Sequence, residues 1–283
     1  MSRVLIAGCG DLGTEAGLRF AAAGFAVSGW RRSPEKLPAP IEGAAADLAD
    51  AGLPPVPADT DVVVITPAAR ERSEAAYRAT YRDGTAHVLD ALERDGVHPR
   101  RILLVSSTAV YGDADGGRVD ELTPTDPASA TGAVLREAEQ LLLARRPDAV
   151  VLRLAGIYGP GRTRLIDQVR SGAAVVRPGQ LTNRIHRDDA AAALVHLAGL
   201  ADPASLYLGV DDEPVEQAEV LAFLAAELGL PAPAADPDAG ASPRGGNRRL
   251  SNARLRGSGF TFTYPTYREG YRAVLAGTGV RHP

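Results

Sequence analysis

Four apolar residues, Val4-Leu5-Ile6-Ala7, run directly into Gly8-Cys9-Gly10-Asp11-Leu12-Gly13, and the chain then turns helical through Thr14 to Ala23. A buried strand that ends on GxGxxG and opens a helix predicts a dinucleotide-binding βαβ unit. Gly8 permits the tight turn, Gly10 lets the backbone approach a pyrophosphate, and Gly13 lets helix and strand pack closely. The phosphates then rest on the helix N-terminus, where free N–H groups point outward. The helix is rich in small residues, Ala16, Gly17, Ala21, Ala22 and Ala23. Gly8, Cys9, Gly10, Asp11, Leu12 and Gly13 are therefore candidate cofactor residues. The competing reading is an ordinary glycine-rich strand-to-helix turn.

A chain of 283 residues buries a large core and suits one α/β domain with an added lobe. A net charge of −4 gives no reason to expect nucleic acid or an anionic membrane as partner. No apolar run approaches the roughly 20 residues that span a bilayer. The first strand starts at residue 3, which predicts no signal peptide ahead of it. Cys9 is the only cysteine, so no internal disulfide forms and a cytoplasmic location is expected. Within the turn, Cys9 reads as a small packing residue and not as a nucleophile. The five histidines lack HExxH spacing and no cysteine pair exists, which argues against any metal site.

The apolar runs 26–28, 61–66, 101–106 and 149–154 read as buried parallel strands, with helices over 73–94 and 130–145 between them. That alternation predicts a Rossmann-type doubly wound parallel sheet over 1–157. Past Tyr158-Gly159-Pro160-Gly161 the alternation fades. Helices near 188–200, 216–228 and 267–276 predict a smaller C-terminal substrate lobe over 158–283, some of whose elements pack back on the sheet. Pro231 to Gly246, with prolines at 231, 233, 237 and 243, reads as a low-complexity, mobile loop.

Cofactor choice is decided at the end of the second strand, where a site that prefers NAD carries an acid for the ribose 2′-OH. This chain has Trp30-Arg31-Arg32-Ser33 instead. Two guanidinium groups suit a 2′-phosphate, and no carboxylate repels it, so Arg31 and Arg32 predict NADP. The alternative is a pair of solvated surface arginines. Asp47 and Leu48, where the third strand would end, are placed against the adenine ring, though Asp47 also fits a turn. Thr66 and Pro67, at the end of the 61–66 run, complete the cofactor set.

Four further motifs carry a family resemblance: Asp83-Gly84-Thr85, Ser106-Ser107-Thr108-Ala109-Val110-Tyr111-Gly112, the run from Arg153 to Gly161, and Asn183-Arg184-Ile185-His186-Arg187-Asp188-Asp189. On these the chain resembles an extended short-chain dehydrogenase/reductase, the family of NAD(P)-dependent epimerases, dehydratases and reductases. The GxGxxG spacing, Asn247 to Asn252 and Tyr264-Pro265 are similar to an atypical, epimerase-like subgroup. In the family a tyrosine moves the proton, and a lysine four residues later lowers its pKa and holds the nicotinamide ribose. Here Thr131 falls at the tyrosine and Leu135 at the lysine. No shifted alignment restores the pair, because Lys36 is the only lysine in the chain.

Ser107 matches the family's catalytic Ser/Thr, and the resemblance implies that it orients a substrate oxygen; a serine capping a buried turn is the other reading. Thr108 and Ala109 replace the acidic pair of the sugar-nucleotide dehydratases, which disfavours elimination. Thr182 replaces a phosphate-binding arginine of some epimerases, while Arg162, Arg164 and Arg184 remain available to an anionic ligand. Tyr111, Tyr158 and His186 are alternative proton donors, each with a packing or backbone-bonding role as rival. A tyrosine of ordinary pKa about 10 is phenolate in only about one part in a thousand at pH 7, so it donates protons better than it abstracts them. These residues together predict NADPH-dependent reduction of a carbonyl on a small molecule by a monomer or homodimer, with Ser107, Tyr111 and Tyr158 as catalytic candidates. Two alternatives stand beside it: an NADP-binding sensor or scaffold without turnover, and an epimerase with unusual acids and bases.

Overall fold

The computed structural model describes residues 2–236 and 246–283. Seven strands form one parallel sheet: β1 (Arg3–Ala7), β2 (Ala26–Arg31), β3 (Glu42–Ala45), β4 (Thr60–Ile65), β5 (Arg101–Ser107), β6 (Val150–Leu154) and β7 (Leu206–Gly209), in the spatial order 7-6-5-4-1-2-3. The chain works outward from β1 in one direction, then crosses back to β4 and works outward in the other. This reversal leaves a crevice beyond the carboxyl ends of β1 and β4, where open α/β sheets bind their ligands.

Side chains alternate between the two faces of each strand. Val4 and Ile6 of β1, with Leu103 and Val105 of β5, pack under helices α1 (Asp11–Ala22) and α6 (Arg187–Gly199). Leu5, Ala7, Ile102 and Leu104 face α3 (Gly84–Arg94) and α4 (Ala130–Arg145) on the other side. Because both faces are covered, the strands read as unbroken apolar runs.

The helix expected over 73–94 is present as α2 (Glu74–Tyr77) and α3, joined by a π-helical turn over Arg78–Asp83. Such turns insert an extra residue into a helix and recur at functional sites. Two elements of the C-terminal half belong to the sheet layer: β7 extends it beside β6, and α6 packs on α1. The remainder forms a lobe around α5 (Arg164–Arg170), α7 (Gln217–Glu227) and α8 (Tyr267–Leu275), cored by Ile166, Val220, Leu224, Tyr267 and Tyr271. Of the 231–246 loop, residues 237–245 lie outside the described residues, and Ala235 bridges Val176.

Candidate functional site

The glycine turn assigns a separate role to each glycine. Gly8 has φ +88°, and a Cβ there would lie 2.6 Å from the Thr66 carbonyl oxygen; Thr66 Oγ1 donates to the Gly8 carbonyl at 2.9 Å. A Cβ on Gly13 would meet Ile6 Cγ2 and Thr66 Oγ1 at 2.9 Å. Packing within the protein thus accounts for both. Gly10 differs, since the nearest atom to its Cβ position is 4.0 Å away, so no neighbour within the protein demands a glycine there. It is the N-cap of α1 and offers no side chain to the first-turn N–H groups. An open backbone cradle with uncapped N–H groups fits a dinucleotide pyrophosphate.

Asp11 brings a carboxylate to this anion site, and the fold neutralises it. Its oxygens accept from Arg187 at 2.7 Å, Arg162 at 3.0 Å and the His282 N–H at 3.1 Å. Cys9 is buried, and burial pushes its thiol up to about 11, so it stays neutral and unreactive.

At the adenosine end, β2 finishes on Arg31, whose Nη1 is buried without a hydrogen-bond partner. Arg32 lies 3.7 Å and Arg70 3.9 Å from Asp47. Asp47 also accepts the Ala49 N–H at 3.1 Å, so the turn role and a place beside the arginines coexist. Leu48 is buried, and its carbonyl is 2.9 Å from His87 Nδ1.

A cleft of about 820 Å³ leads from Gly8, Gly10, Asp11, Leu12 and Gly13 past Thr66 and Pro67 to Ser107, Tyr111, Thr131 and Leu135. Ser107 ends β5, and its Oγ accepts the Ala109 N–H at 3.2 Å, which leaves its own O–H free to donate. The cap and the substrate-facing hydroxyl are therefore compatible. Thr131, in the first turn of α4, has its hydroxyl 3.2 Å from Ser129 Oγ. No amine accompanies it, because Leu135 is packed with Val110, Tyr111 and Leu250.

The catalytic tyrosine candidates are arranged differently from expectation. Tyr111 lines the cleft, but its hydroxyl donates to the Asp120 carbonyl at 2.9 Å and accepts from Arg153 at 2.7 Å. Arg153 is itself ion-paired to buried Glu139 at 2.6 Å, and Glu139 accepts from Ser106. Tyr158 is not among the cleft residues. Its ring packs 4.5 Å from Tyr271, its hydroxyl reaches the Thr266 carbonyl at 3.4 Å, and burial raises its pKa. His186 is also outside; it accepts the Asp188 N–H at 3.2 Å, and burial holds it neutral by lowering its pKa to about 4. Of the three arginines kept for an anion, Arg162 lines the cleft, whereas Arg184 is buried in the lobe and Arg164 sits outside at its surface.

Among the cleft residues that sequence reading did not single out are Arg72, Tyr77, Tyr81, Asp113 and Arg248. Tyr77, just before the π turn, and Tyr81, within it, stack at 4.9 Å; burial pushes Tyr81 up to about 12. Their spacing of four was a legible signal, since it puts two rings on one helix face.

Residues 4–205 match the family described as the NAD dependent epimerase/dehydratase family. Protein YeeZ of Escherichia coli (strain K12) is 32% identical over 177 residues, 57% of this chain and 61% of that protein, so the match spans about three fifths of the relative's length. A 3-diazoavenalumate denitrifying reductase from a Streptomyces species is 31% identical over 233 residues, 71% of this chain and 74% of that protein. Among solved structures, a protein of Methylobacillus flagellatus provisionally described as an NAD-dependent epimerase/dehydratase superposes with a TM-score of 0.79 at 38% identity, covering 97% of this chain and 98% of that one. MoeE5, solved with UDP-glucuronic acid and NAD, shares the fold at a TM-score of 0.79 and 23% identity, over 98% and 97% of the two chains. With its Rossmann sheet, its glycine cradle and a family match across most of its length, the chain belongs to the NAD-dependent epimerase/dehydratase family.

Proposed function

We propose that this protein is an NADPH-dependent reductase of a carbonyl group on a small molecule. The observation that carries the reading is the continuity of one cleft from the uncapped α1 N-terminus to the free hydroxyl of Ser107. When bound, the nicotinamide cofactor supplies the hydride. Ser107 holds the carbonyl oxygen, and the N–H it accepts from Ala109 strengthens its O–H as a donor. Thr131 faces the same space with a second hydroxyl.

Direction follows from protonation. A phenol held near 12, as at Tyr81, is ionised in only about one part in a hundred thousand at pH 7, so it supplies protons to a nascent alkoxide and does not abstract them. Burial likewise raises Tyr111. Epimerisation through a ketone needs both directions and is disfavoured. The name of the Streptomyces relative, a reductase, supports the same direction. NADP in preference to NAD rests on Arg31 and Arg32, and on the unpartnered buried Nη1 of Arg31. A single buried thiol supports a cytoplasmic setting.

The second reading is an NADP-binding sensor without turnover, favoured by Thr131 and Leu135 standing where the family's proton-transfer pair would be. The test is NADPH oxidation against a panel of aldehydes and ketones, with Ser107→Ala alongside. Turnover that falls about a hundredfold in Ser107→Ala with NADPH affinity kept supports the reductase. Tight NADPH binding with no oxidation of any panel member overturns it in favour of the sensor.

A further inference from the structure

Arg248 precedes the short strand Arg249–Leu250, which pairs with Arg118–Val119, and it lines the cleft together with Ser107 and Tyr111. Its side chain is 5% exposed. Three carbonyls take up part of its donor set: Nη1 donates to Tyr111 at 3.1 Å and Gly112 at 2.8 Å, and Nη2 donates to Thr108 at 2.8 Å. A guanidinium carries five N–H donors, so two remain, and the Nε–H has no partner.

No carboxylate pairs with Arg248 among the described residues. Asp113 lines the same cleft and is near enough to influence it, but makes no ion pair with it; its two oxygens accept the N–H groups of Asp115 at 2.8 Å and Asn247 at 3.1 Å. The other buried arginines of the cleft region are compensated: Arg153 by Glu139, Arg187 by Asp11 and Asp188. Arg101 is also held by three carbonyls, at the amino end of β5, so a carbonyl clamp alone marks no site. The distinction of Arg248 is that it lines the cavity in which the reaction is proposed without an ion pair, Asp113 of the same cavity being its nearest acidic influence. Burial lowers its pKa, and the charge of Asp113 only partly opposes that shift.

We infer that Arg248 is the anion-recognition residue of the substrate end of the cleft, and that the natural substrate is a carbonyl compound bearing a carboxylate. This deepens the reductase reading and rests on it for the word carbonyl. Two unused donors match the two oxygens of a carboxylate, with the clamp of carbonyls holding the guanidinium plane in place before the ligand arrives.

The experiment has a binding arm and a turnover arm. In the first, the NADP⁺-loaded protein is titrated calorimetrically with benzoate, benzamide and methyl phosphate. Benzoate is expected to bind at least tenfold more tightly than benzamide, and Arg248→Gln is expected to remove the difference while Arg248→Lys restores part of it. In the second, 4-carboxybenzaldehyde is compared with its methyl ester. The acid should have the lower KM in the parent, and Arg248→Gln should raise that KM with kcat and NADPH affinity little changed. If Arg248→Gln does not fold, Arg248→Lys decides the matter: a raised KM for the acid with that for the ester unchanged supports the site, and unaltered values for both overturn it. Equal binding of benzoate and benzamide by the parent, or benzoate affinity unaltered in a folded Arg248→Gln, overturns the proposal. Tighter binding of methyl phosphate than of benzoate overturns the carboxylate assignment. Arg248-dependent benzoate binding with no turnover of any aldehyde would leave the anion site standing and remove the reductase.

Discussion

The three glycines of the turn make a sharp prediction, because packing within the protein excludes a side chain at Gly8 and Gly13 but not at Gly10. At Gly10 a methyl group has no protein atom nearer than 4.0 Å, and the backbone there is extended, with φ −86° and ψ −157°. Gly10→Ala should therefore fold, losing only the advantage of glycine over alanine at an N-cap, about 0.5–1 kcal/mol. For a domain of this size that is a fall in Tm of roughly 1–4 °C. The same methyl group occupies the approach of the pyrophosphate and pushes it off the N–H groups of the first turn. Loss of one charge-assisted hydrogen bond, about 1.5–3 kcal/mol, weakens NADPH binding roughly tenfold to 150-fold. Gly8→Ala is the contrasting case. Its Cβ would sit 2.6 Å from the Thr66 carbonyl at φ +88°, so the cost falls on folding itself. Fluorescence titration with NADPH, paired with thermal melts, separates the two. A Gly10→Ala protein that binds NADPH as tightly as the parent would refute the placement of the pyrophosphate on this turn.

Three further outcomes are expected. Arg31→Ala with Arg32→Ala should weaken NADPH binding roughly tenfold or more and leave NADH binding nearly unchanged, measured by parallel titrations; equal losses for both cofactors would remove the 2′-phosphate assignment. Glu139→Ala strands the buried Arg153 guanidinium and should cost about 3–5 kcal/mol in denaturant unfolding, with Glu139→Gln milder; a loss below about 1 kcal/mol would show that the pair is not buried as described. Burial raises the Asp211 carboxyl to about 8, so its folded state holds a proton that the unfolded chain releases near pH 4. Its contribution to stability is full below about pH 4 and declines as pH rises to about 8. Asp211→Asn should therefore gain stability relative to the parent across that window, and parallel pH profiles would contradict the assignment.

The sheet was legible for a physical reason. Strands β1, β4, β5 and β6 are covered on both faces, so their sequences are unbroken apolar runs that no surface helix would show. Strand β7 was missed because it has four residues, stands at the sheet edge and follows the turn-rich Asp202-Pro203. The helix over 73–94 was readable as a helix, but its π turn was not, since one inserted residue leaves the apolar pattern nearly intact. Within the site, the glycine turn is a local feature that spacing reveals, whereas Ser107 was singled out by the family resemblance of the motif at the end of β5. Tyr158 could not, because its direction depends on Gly270, where a Cβ would lie 1.9 Å from the Tyr158 hydroxyl, and on the Tyr271 ring more than a hundred residues away. Arg248 was invisible for the same reason: its place in the cleft is created by the pairing of Arg249–Leu250 with Arg118–Val119.

The resemblance implies that Thr131 and Leu135 hold the positions of the family's proton-transfer pair, and building that pair there tests the implication. Thr131, Leu135 and Glu139 stand four apart on one face of α4, forming a stripe that runs from a half-exposed hydroxyl through an apolar side chain to a buried carboxylate. Thr131→Tyr adds a ring beside open cleft and should be nearly neutral in stability. Leu135→Lys removes a side chain packed among Val110, Tyr111 and Leu250, forfeiting about 1.5–3 kcal/mol of burial, or roughly 3–12 °C in Tm. Its ammonium would have Glu139 one turn away, where it competes with Arg153 for the same carboxylate. The double variant is therefore expected to be less stable than the parent, and any gain in NADPH-dependent carbonyl reduction should follow the titration of the new tyrosine. If Leu135→Lys melts at the parent's temperature, position 135 is not the packed position described. If the double variant folds and binds NADPH yet gains no activity, the want of a Tyr–Lys pair is not what limits this cleft, and the roles proposed for Ser107 and Arg248 must belong to a chemistry that requires no phenolate.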